Sequence, residues 1–293
     1  MDGSQVLQLV LSGLVTGSIY ALVALGFTVI FKSTDAINFA QGEWVMAGGM
    51  IGAFLHVSFG LAPLLLVPIA TAIVALLGLV SERLAIHPLR TPSPMLLTLI
   101  TIAVAITTRA AIMLALGKAP AGLPSFSGSE NIPIAGATLP PQGLWVLGIT
   151  LLVMFGTHVF FQKSLLGRAM RAAAADREAA GLVGINVSRM VMWSFVLAAA
   201  IGAVAGLIIT PLTLTSVNAG LMLGFKGFSA AMLGGLGNLH GALLGGVVLG
   251  LLESLSAGLL SSQFKDAVAF VVLLVVLFLR PAGLLGRASA ERA

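Results

Sequence analysis

The stretch "GLVTGSIYALVALGFTVIF" (residues 13–31) is long, apolar and free of charged side chains. A run of about 20 apolar residues is long enough to cross the hydrocarbon core of a membrane as a helix. Small residues recur every four positions, at Gly13, Gly17 and Ala21, and such rows let helices approach closely in lipid. The stretch therefore predicts a membrane-spanning helix that packs tightly against a neighbour.

Similar runs recur along nearly the whole chain, whose 293 residues are 58% hydrophobic with a mean hydropathy of +1.10. Water-soluble folds do not cover that much apolar surface, and strict two-residue alternation, the mark of barrel strands, is absent. The sequence predicts an all-α polytopic membrane protein with about 8–9 transmembrane helices and possible re-entrant or broken segments. The candidate spans are 5–31, 36–55, 62–82, 94–116, 143–162, 187–210, 221–239, 241–260 and 266–280.

Charge is concentrated between the spans. Ten of the fifteen Lys and Arg residues lie in the regions 83–93, 163–189 and 280–293, which the positive-inside rule places in the cytoplasm. The loop 117–142 is rich in Gly, Pro and Ser, with one Lys and one Glu, and is expected outside. Nine crossings with the amino terminus outside satisfy these placements. Eight would suffice if a segment around 33–45 or 221–240 entered and returned on one side.

The chemistry of an enzyme is missing from the sequence. The chain has no cysteine, its four histidines lack metal-ligand spacing, and neither a serine-nucleophile elbow nor a phosphate-binding loop is present. We therefore expect no catalytic residue, no metal and no cofactor bound by this chain. The net charge of +5 comes from basic residues at span ends, so membrane lipid rather than nucleic acid is the expected contact.

Polar residues inside the spans are the candidates for a transport pathway or gate. Two irregular stretches, "DAINFAQGEW" (35–44) and "GFKGFSAAMLGGLGNLHG" (224–241), combine polar side chains with glycine, which is typical of interrupted helices that contact solute. Each has an Asn between apolar residues shortly before a glycine, which hints at an internal repeat. Charges in spans, including Arg109, cost several kcal/mol unless paired or hydrated, so an ion pair that fixes helix register is the alternative. The candidates are Asn38, Gln41, Glu43, Lys226, Asn238 and Glu253.

A short polar helix is predicted in the longest basic loop, in "RAAAADREAAGLVGI" (171–185). Its alanines favour a smooth rod, Arg171 and Glu178 are seven residues apart on one face, and Gly181 and Gly184 should end the helix. Such a helix either receives a soluble partner or is an ordinary solvated interfacial helix.

Four blocks of sequence together resemble one transporter family. "EAAGLVG" (178–184) matches the EAA-x-x-x-G core of permease subunits of ATP-binding-cassette importers, without the apolar-Pro tail common after that glycine. With residues 13–31, 37–49, 167–186 and 231–253, in this order, the chain resembles the branched-chain amino acid permease family, specifically its LivH-like subunit. The resemblance spans about residues 10–280. Many relatives have His where Gln41 stands.

The resemblance implies a transport subunit of the bacterial plasma (inner) membrane that is powered by others. It implies a single permease domain, with transmembrane helices in 1–162, a cytoplasmic loop in 163–189, and further helices and a short tail in 190–293. Two cytoplasmic ATPase subunits would use ATP, a LivM-like or second identical permease subunit would complete the pathway, and a periplasmic binding protein would deliver solute. A rigid coupling helix around 169–181 would contact an ATPase through Arg168, Arg171, Asp176, Arg177, Glu178, Ala179, Ala180, Gly181 and Gly184.

The solute and one competing function remain open at this stage. A small neutral or zwitterionic solute suits a pathway with few fixed charges. Branched-chain amino acids are the usual cargo of the family, and relatives carry urea, short amides and other amino acids. The competing hypothesis is a self-sufficient channel or ion-coupled carrier, in which membrane-embedded carboxylates such as Glu43 and Glu253 would titrate or bind ions. An intramembrane enzyme ranks last.

Overall fold

The computed structural model describes residues 2–89, 93–259 and 263–286 and is almost entirely helical within them. A two-stranded hairpin in the loop 117–140 is the exception, with Ile132 opposite Leu139. The elements are α1 (Gly3–Thr34), α2 (Gln41–Phe59), α3 (Pro63–Ser81) with a π-helical turn (Glu82–Ile86), α4 (Pro94–Leu116), β1 (Ile132–Ile134), β2 (Ala137–Leu139), α5 (Pro141–Lys163), α6 (Leu165–Ala175), α7 (Arg177–Leu182), α8 (Val187–Thr213), α9 (Ala219–Gly234), α10 (Leu239–Leu259) and α11 (Lys265–Leu279).

Each predicted span coincides with a helix, and the chain is a polytopic all-α membrane protein. Among the described residues, six helices are long and apolar enough to cross a membrane: α1, α3 with its π-helical turn, α4, α5, α8 and α10. Helices α2 and α9 are not among these six, and each follows a stretch without regular helical structure, 35–40 and 214–218. Helix α2 begins at Gln41 rather than near 36, because residues 35–40 run without helical structure into the bundle.

The basic regions gather at one end of the bundle. His87 contacts Ser188 at 3.0 Å, Arg177 donates to the carbonyl of Ser33, and Leu284 donates to a carbonyl of α9. We call this end, which holds residues 83–89, 164–186 and 280–286, the basic end. The loop 117–140 lies at the other end, where Ala121 pairs with Thr215 as an isolated bridge. The predicted sidedness is thus consistent with the fold, although Arg90, Arg287 and Arg292 lie outside the described residues.

The fold contains an inverted repeat of two halves, α1–α4 and α8–α11. Helix α1 packs antiparallel along α10, and α8 packs antiparallel along α3 in the same way. Likewise, α9 lies parallel beside α1, and α2 lies parallel beside α8. Residues 35–40 lead into α2 from the basic end, and residues 214–218 lead into α9 from the opposite end. Because α1 and α8 run in opposite directions, the halves have opposite orientations. The structural partner of 35–40 is therefore 214–218, and not the stretch 224–241 suggested by the sequence.

Small residues bring the central helices together, as the glycine rows predict. Helix α1 lies in the middle of the bundle and is almost fully buried from Ser18 to Ile30. A Cβ placed on Gly13 would lie 2.9 Å from the Cα of Leu251, and one on Gly17 would lie 2.8 Å from the Cα of Val247. The backbones of α1 and α10 thus approach to a distance that only glycine permits.

Candidate functional site

The polar segment at the basic end folds as two short helices and not as one rod. Asp176 interrupts the alanine helix with an extended backbone (φ −157°, ψ 112°), and its carboxylate accepts hydrogen bonds from the N–H groups of Glu178 at 2.9 Å and Ala179 at 3.0 Å. Aspartate is among the best N-cap residues because its side chain satisfies the free donors of a first turn. The prediction of a continuous helix over 169–181 is therefore wrong, and Arg171 and Glu178 do not share a helical face.

The stop predicted at the two glycines is confirmed. Helix α7 ends at Leu182, and Gly184 takes a left-handed conformation with φ +85°. The N–H of Ile185 donates to the carbonyl of Ala180 at 2.9 Å, closing the last turn. A left-handed residue after a helix, with hydrogen bonds back to its last turn, is the usual glycine termination.

The inner face of this segment is anchored to the bundle. Met170, Ala173 and Ala180 are buried, and Gly167 packs against the backbone at the end of α5. The guanidinium of Arg177 donates to the carbonyl of Ser33 in the last turn of α1 at 3.1 Å. That contact was not predicted, because arginine in a polar loop is expected to face solvent. The hydrogen bond joins α7 to the last turn of the central helix of the bundle.

The outer face of the segment is open and partly apolar. Leu182 is 90% exposed and Val183 is 76% exposed, although both are aliphatic. Seven of the predicted coupling residues are also exposed, whereas Ala180 faces inward and Arg177 is half-buried. The seven are Arg168, Arg171, Asp176, Glu178, Ala179, Gly181 and Gly184. Exposed apolar side chains with a charged rim are typical of a protein-docking surface.

An ion pair with a buried carboxylate lies where α2 and α9 begin. Arg109 of α4 donates to Oε1 of Glu43, whose side chain is only 3% exposed. The nearby Gln41 donates to the carbonyl of Ala198 in the middle of α8, so the carboxylate lies inside the bundle, while the Arg109 side chain is 30% exposed. A cavity of about 350 Å³, here called the Glu43 cavity, borders the pair. It is lined by Phe27, Phe39, Glu43, Ile102, Ala105, Ile106, Arg109, Gly220, Leu221, Gly224 and Phe225.

A second charged pair joins α9 to α10. Lys226 donates to Oε1 of Glu253 at 2.7 Å, and the hydroxyl of Tyr20 donates to Oε2 at 2.7 Å. The pair borders another cavity of about 480 Å³, the Glu253 cavity, which the hydroxyls of Thr215 and Ser216 also line. The sequence singled out Lys226 and Glu253 separately, and the structure brings them together. Tyr20 was missed, although it is the only tyrosine of the chain and lies in an apolar run.

The three amide candidates have different positions. Asn38 and Gln41 are fully buried in and after the segment 35–40, and Nδ2 of Asn38 and Oε1 of Gln41 have no partner among the described residues. Asn238 instead lies at the basic end, where its Oδ1 accepts from the N–H groups of His240 and Gly241 and its Nδ2 donates to the carbonyl of Leu285. These contacts start α10 and hold the tail, so Asn238 lines neither charged cavity.

The described residues contain no group of three or more His, Cys, Asp or Glu side chains that could hold a metal ion. The Glu43 cavity and the Glu253 cavity are bordered by two charged pairs, hydroxyl-bearing residues and apolar walls. Such groups are suited to contact a small polar molecule and to fix helix positions.

Comparisons with known proteins agree on one family. The family model "Branched-chain amino acid transport system / permease component" matches residues 9–277. The chain is 35% identical to the high-affinity branched-chain amino acid transport system permease protein BraD of Pseudomonas aeruginosa, over 98% of this chain and 97% of BraD. It is 34% identical to the permease protein LivH of Escherichia coli, again over 98% and 97%. A probable LivH of Methanocaldococcus jannaschii is 27% identical over 95% and 92%.

Among solved structures, the fold is similar to a chain of PsaBC from Streptococcus pneumoniae in complex with Fab. The TM-score is 0.50 with 11% identity, over 92% of this chain and 91% of that chain. At this identity the likeness concerns the fold alone.

Proposed function

The chain belongs to the family of permease components of branched-chain amino acid transport systems, and we propose that it forms half of a membrane pathway for branched-chain amino acids. It is a multi-pass subunit of an ATP-binding-cassette importer in the bacterial plasma (inner) membrane, and its family works with ATPase and other transporter components. In this proposal two ATPase subunits dock at the basic end, and a LivM-like subunit or a second copy completes the pathway. A periplasmic binding protein delivers the solute.

The observation that carries the proposal is the anchored, partly apolar tip of α7. An ATPase subunit that binds Leu182 and Val183 would bury side chains that are otherwise exposed to water. The hydrogen bond between Arg177 and Ser33 then links movement of α7 to α1. Coupling by rigid contact needs such a direct mechanical link between the docking surface and a central helix.

The interior supports a solute with no net charge. The charges of Glu43, Arg109, Lys226 and Glu253 form two pairs, so each buried cluster is electrically neutral. A neutral or zwitterionic molecule passes such groups without adding an uncompensated charge in low dielectric. Branched-chain amino acids are zwitterions with an apolar side chain, and they are the solutes named for BraD and LivH.

The test uses the complex with its ATPase subunits and binding protein in proteoliposomes. We expect L-leucine to stimulate ATP turnover and uptake, and reversal of charge at Arg171 together with Glu178 (Arg171→Glu, Glu178→Arg) to uncouple them. Leu182→Asp should weaken ATPase binding about ten-fold or more, since a central apolar contact is commonly worth 2 kcal/mol or more. Arg189→Glu, an exposed charge reversal at the start of α8, is the matched control.

Two results would overturn this assignment. If the charge-reversal variant and Leu182→Asp keep full assembly and full solute-stimulated ATP turnover, the coupling surface lies elsewhere. If proteoliposomes that hold this chain alone take up solute without ATP, the competing hypothesis of a self-sufficient channel or carrier is correct.

A further inference from the structure

In the ion pair beside the Glu43 cavity, one carboxylate oxygen and one guanidinium nitrogen lack a hydrogen-bond partner among the described residues. Oε1 of Glu43 accepts from Nη2 of Arg109, while Oε2 of Glu43 and Nε of Arg109 have no partner among the described residues. Both atoms are shielded from solvent, and buried polar atoms are normally hydrogen-bonded. The pair therefore offers one strong acceptor and one strong donor to a molecule in the cavity.

The unpaired acceptor points to the cavity wall formed by α9. A Cβ placed on Gly220 would lie 2.7 Å from Oε2 of Glu43 and 3.0 Å from its carboxyl carbon. Gly220 and Glu43 both line the cavity, so Oε2 lies at the cavity wall, in a contact with α9 that only glycine permits. Oε2 is shielded in this conformation, so an ammonium group reaches the carboxylate when the Glu43 side chain and α9 move apart.

Two helix N-termini add donors at the same place. Helices α2 and α9 both begin here, and neither has a side-chain cap on its first turn. Their starts touch through glycine, since a Cβ on Gly42 would lie 2.7 Å from the Cα of Gly224. The uncapped N–H groups and the positive ends of the two helices favour a carboxylate beside Arg109.

The remaining walls of the cavity are aliphatic and aromatic. Its volume of about 350 Å³ lies within the range of roughly 300–1,000 Å³ that is usual for small-molecule sites. An apolar side chain of a few carbons would be removed from water there, at a gain of about 0.8 kcal/mol for each buried methylene. The apolar lining residues are Phe27, Phe39, Ile102, Ile106, Leu221 and Phe225.

We propose that the Glu43 cavity binds one zwitterionic amino acid with an aliphatic side chain during its passage through the membrane. The ammonium group binds Glu43, the carboxylate binds Arg109 and the uncapped helix starts, and the side chain occupies the apolar wall. This inference rests on the proposed function and adds a solute site to it. In the empty cavity Glu43 and Arg109 neutralise each other, and in the occupied cavity each also pairs with the opposite charge of the solute. No charge is therefore left uncompensated when the solute enters or leaves.

The Glu253 cavity provides the comparison. Both carboxylate oxygens of Glu253 already accept hydrogen bonds, from Lys226 and Tyr20. We assign that pair to holding α1, α9 and α10 in register. Two neighbouring residues of α9 face the two cavities: Leu221 lines the Glu43 cavity and Met222 lines the Glu253 cavity, and they are 46% and 45% exposed.

The test exploits the absence of cysteine in this chain. Leu221→Cys and, as matched control, Met222→Cys are made in the transporter complex in nanodiscs, and the rate of alkylation by N-ethylmaleimide is followed on this chain by mass spectrometry. The probes are L-leucine, 3-methylbutylamine (leucine without the carboxylate) and 4-methylpentanoate (leucine without the ammonium). With L-leucine at about nine times its dissociation constant, one site in ten is free, so alkylation at position 221 slows about ten-fold.

The proposal requires three results together. L-leucine protects position 221 and leaves position 222 unprotected, neither truncated analogue protects at the same concentration, and the neutral pair Glu43→Gln with Arg109→Gln abolishes protection. Three outcomes overturn the proposal: equal protection at both positions, protection by an analogue or by sodium chloride alone, and no protection. The analogues test the proposal without neutralising Glu43 and Arg109, a change that could itself prevent folding.

Failure of the site and failure of the proposed function give different results. If the complex takes up L-leucine but position 221 is never protected, the transport function stands and the site is wrong. If the complex does not take up branched-chain amino acids, the proposed function falls, and the site falls with it unless a zwitterion that the complex does transport gives the same pattern of protection.

Discussion

Replacing Asp176 by alanine tests whether the bend between α6 and α7 matters for coupling. Asp176→Ala removes the two hydrogen bonds that the carboxylate accepts at 2.9 and 3.0 Å, a cap worth about 0.5–2 kcal/mol. Alanine also favours a helix interior over aspartate by about 0.5 kcal/mol. Together these terms shift the equilibrium from two helices towards one continuous helix by about 1–2.5 kcal/mol, or roughly 5- to 60-fold.

The assay measures the shape of the segment in a labelled chain and its consequence in the unlabelled complex, because Leu182 belongs to the proposed docking surface. Spin labels on cysteines at Leu165 and Leu182, both highly exposed, report the length of the segment. A continuous helix would place these positions about 25 Å apart along its axis, and we expect the distance distribution of Asp176→Ala to move towards that value. The apolar tip at Leu182 then leaves its anchored position, so the amount of solute transported per ATP should fall.

Asp176→Ser is the control, because serine caps a helix nearly as well as aspartate without its charge. It should keep both the distance distribution and the coupling of the parent chain. If Asp176→Ala leaves the distances unchanged, the cap does not hold the bend. If the distances change while coupling stays intact, the bend has no part in energy transfer, and the reasoning is refuted.

Two further substitutions test the packing. In Gly246→Ala the new Cβ would lie about 2.5 Å from the Cα of Ala21, so α1 and α10 must move apart. We expect the free energy of unfolding to fall by about 1–3 kcal/mol and the melting temperature to be lower than in the control Gly148→Ala, where nothing lies within 4 Å. Equal melting temperatures would contradict the close contact. Gln142→Leu removes two hydrogen bonds, one buried and one partly buried, that join the outer loop to α8, at a cost of about 1–3 kcal/mol. It should speed proteolysis of the loop 117–140, whereas the exposed Gln162→Leu should not. The same cleavage rate in both variants would show that these bonds do not hold the loop.

The polar segment shows where sequence reasoning stopped. The glycines at 181 and 184 predicted the end of the second helix correctly, because the termination of a helix by glycine depends on neighbouring residues alone. The break at Asp176 carried a local signal as well, an aspartate before Arg-Glu, but the alanine run favoured a continuous helix. The N-cap hydrogen bonds and the buried contacts of Met170 and Ala180 outweigh that propensity in the folded chain.

The sequence by itself determined the class of protein, the approximate spans, the end of the bundle at which the basic loops gather, and the glycine faces of the central helices. Hydropathy, charge and small-residue spacing are properties of contiguous residues, so they can be read without knowing what lies across the bundle. Only the tertiary structure decided which polar groups meet. Glu43 and Arg109 are 66 positions apart and Tyr20 and Glu253 are 233 apart. Such pairs depend on how the two inverted halves pack, and this packing leaves the starts of α2 and α9 facing one cavity inside the membrane.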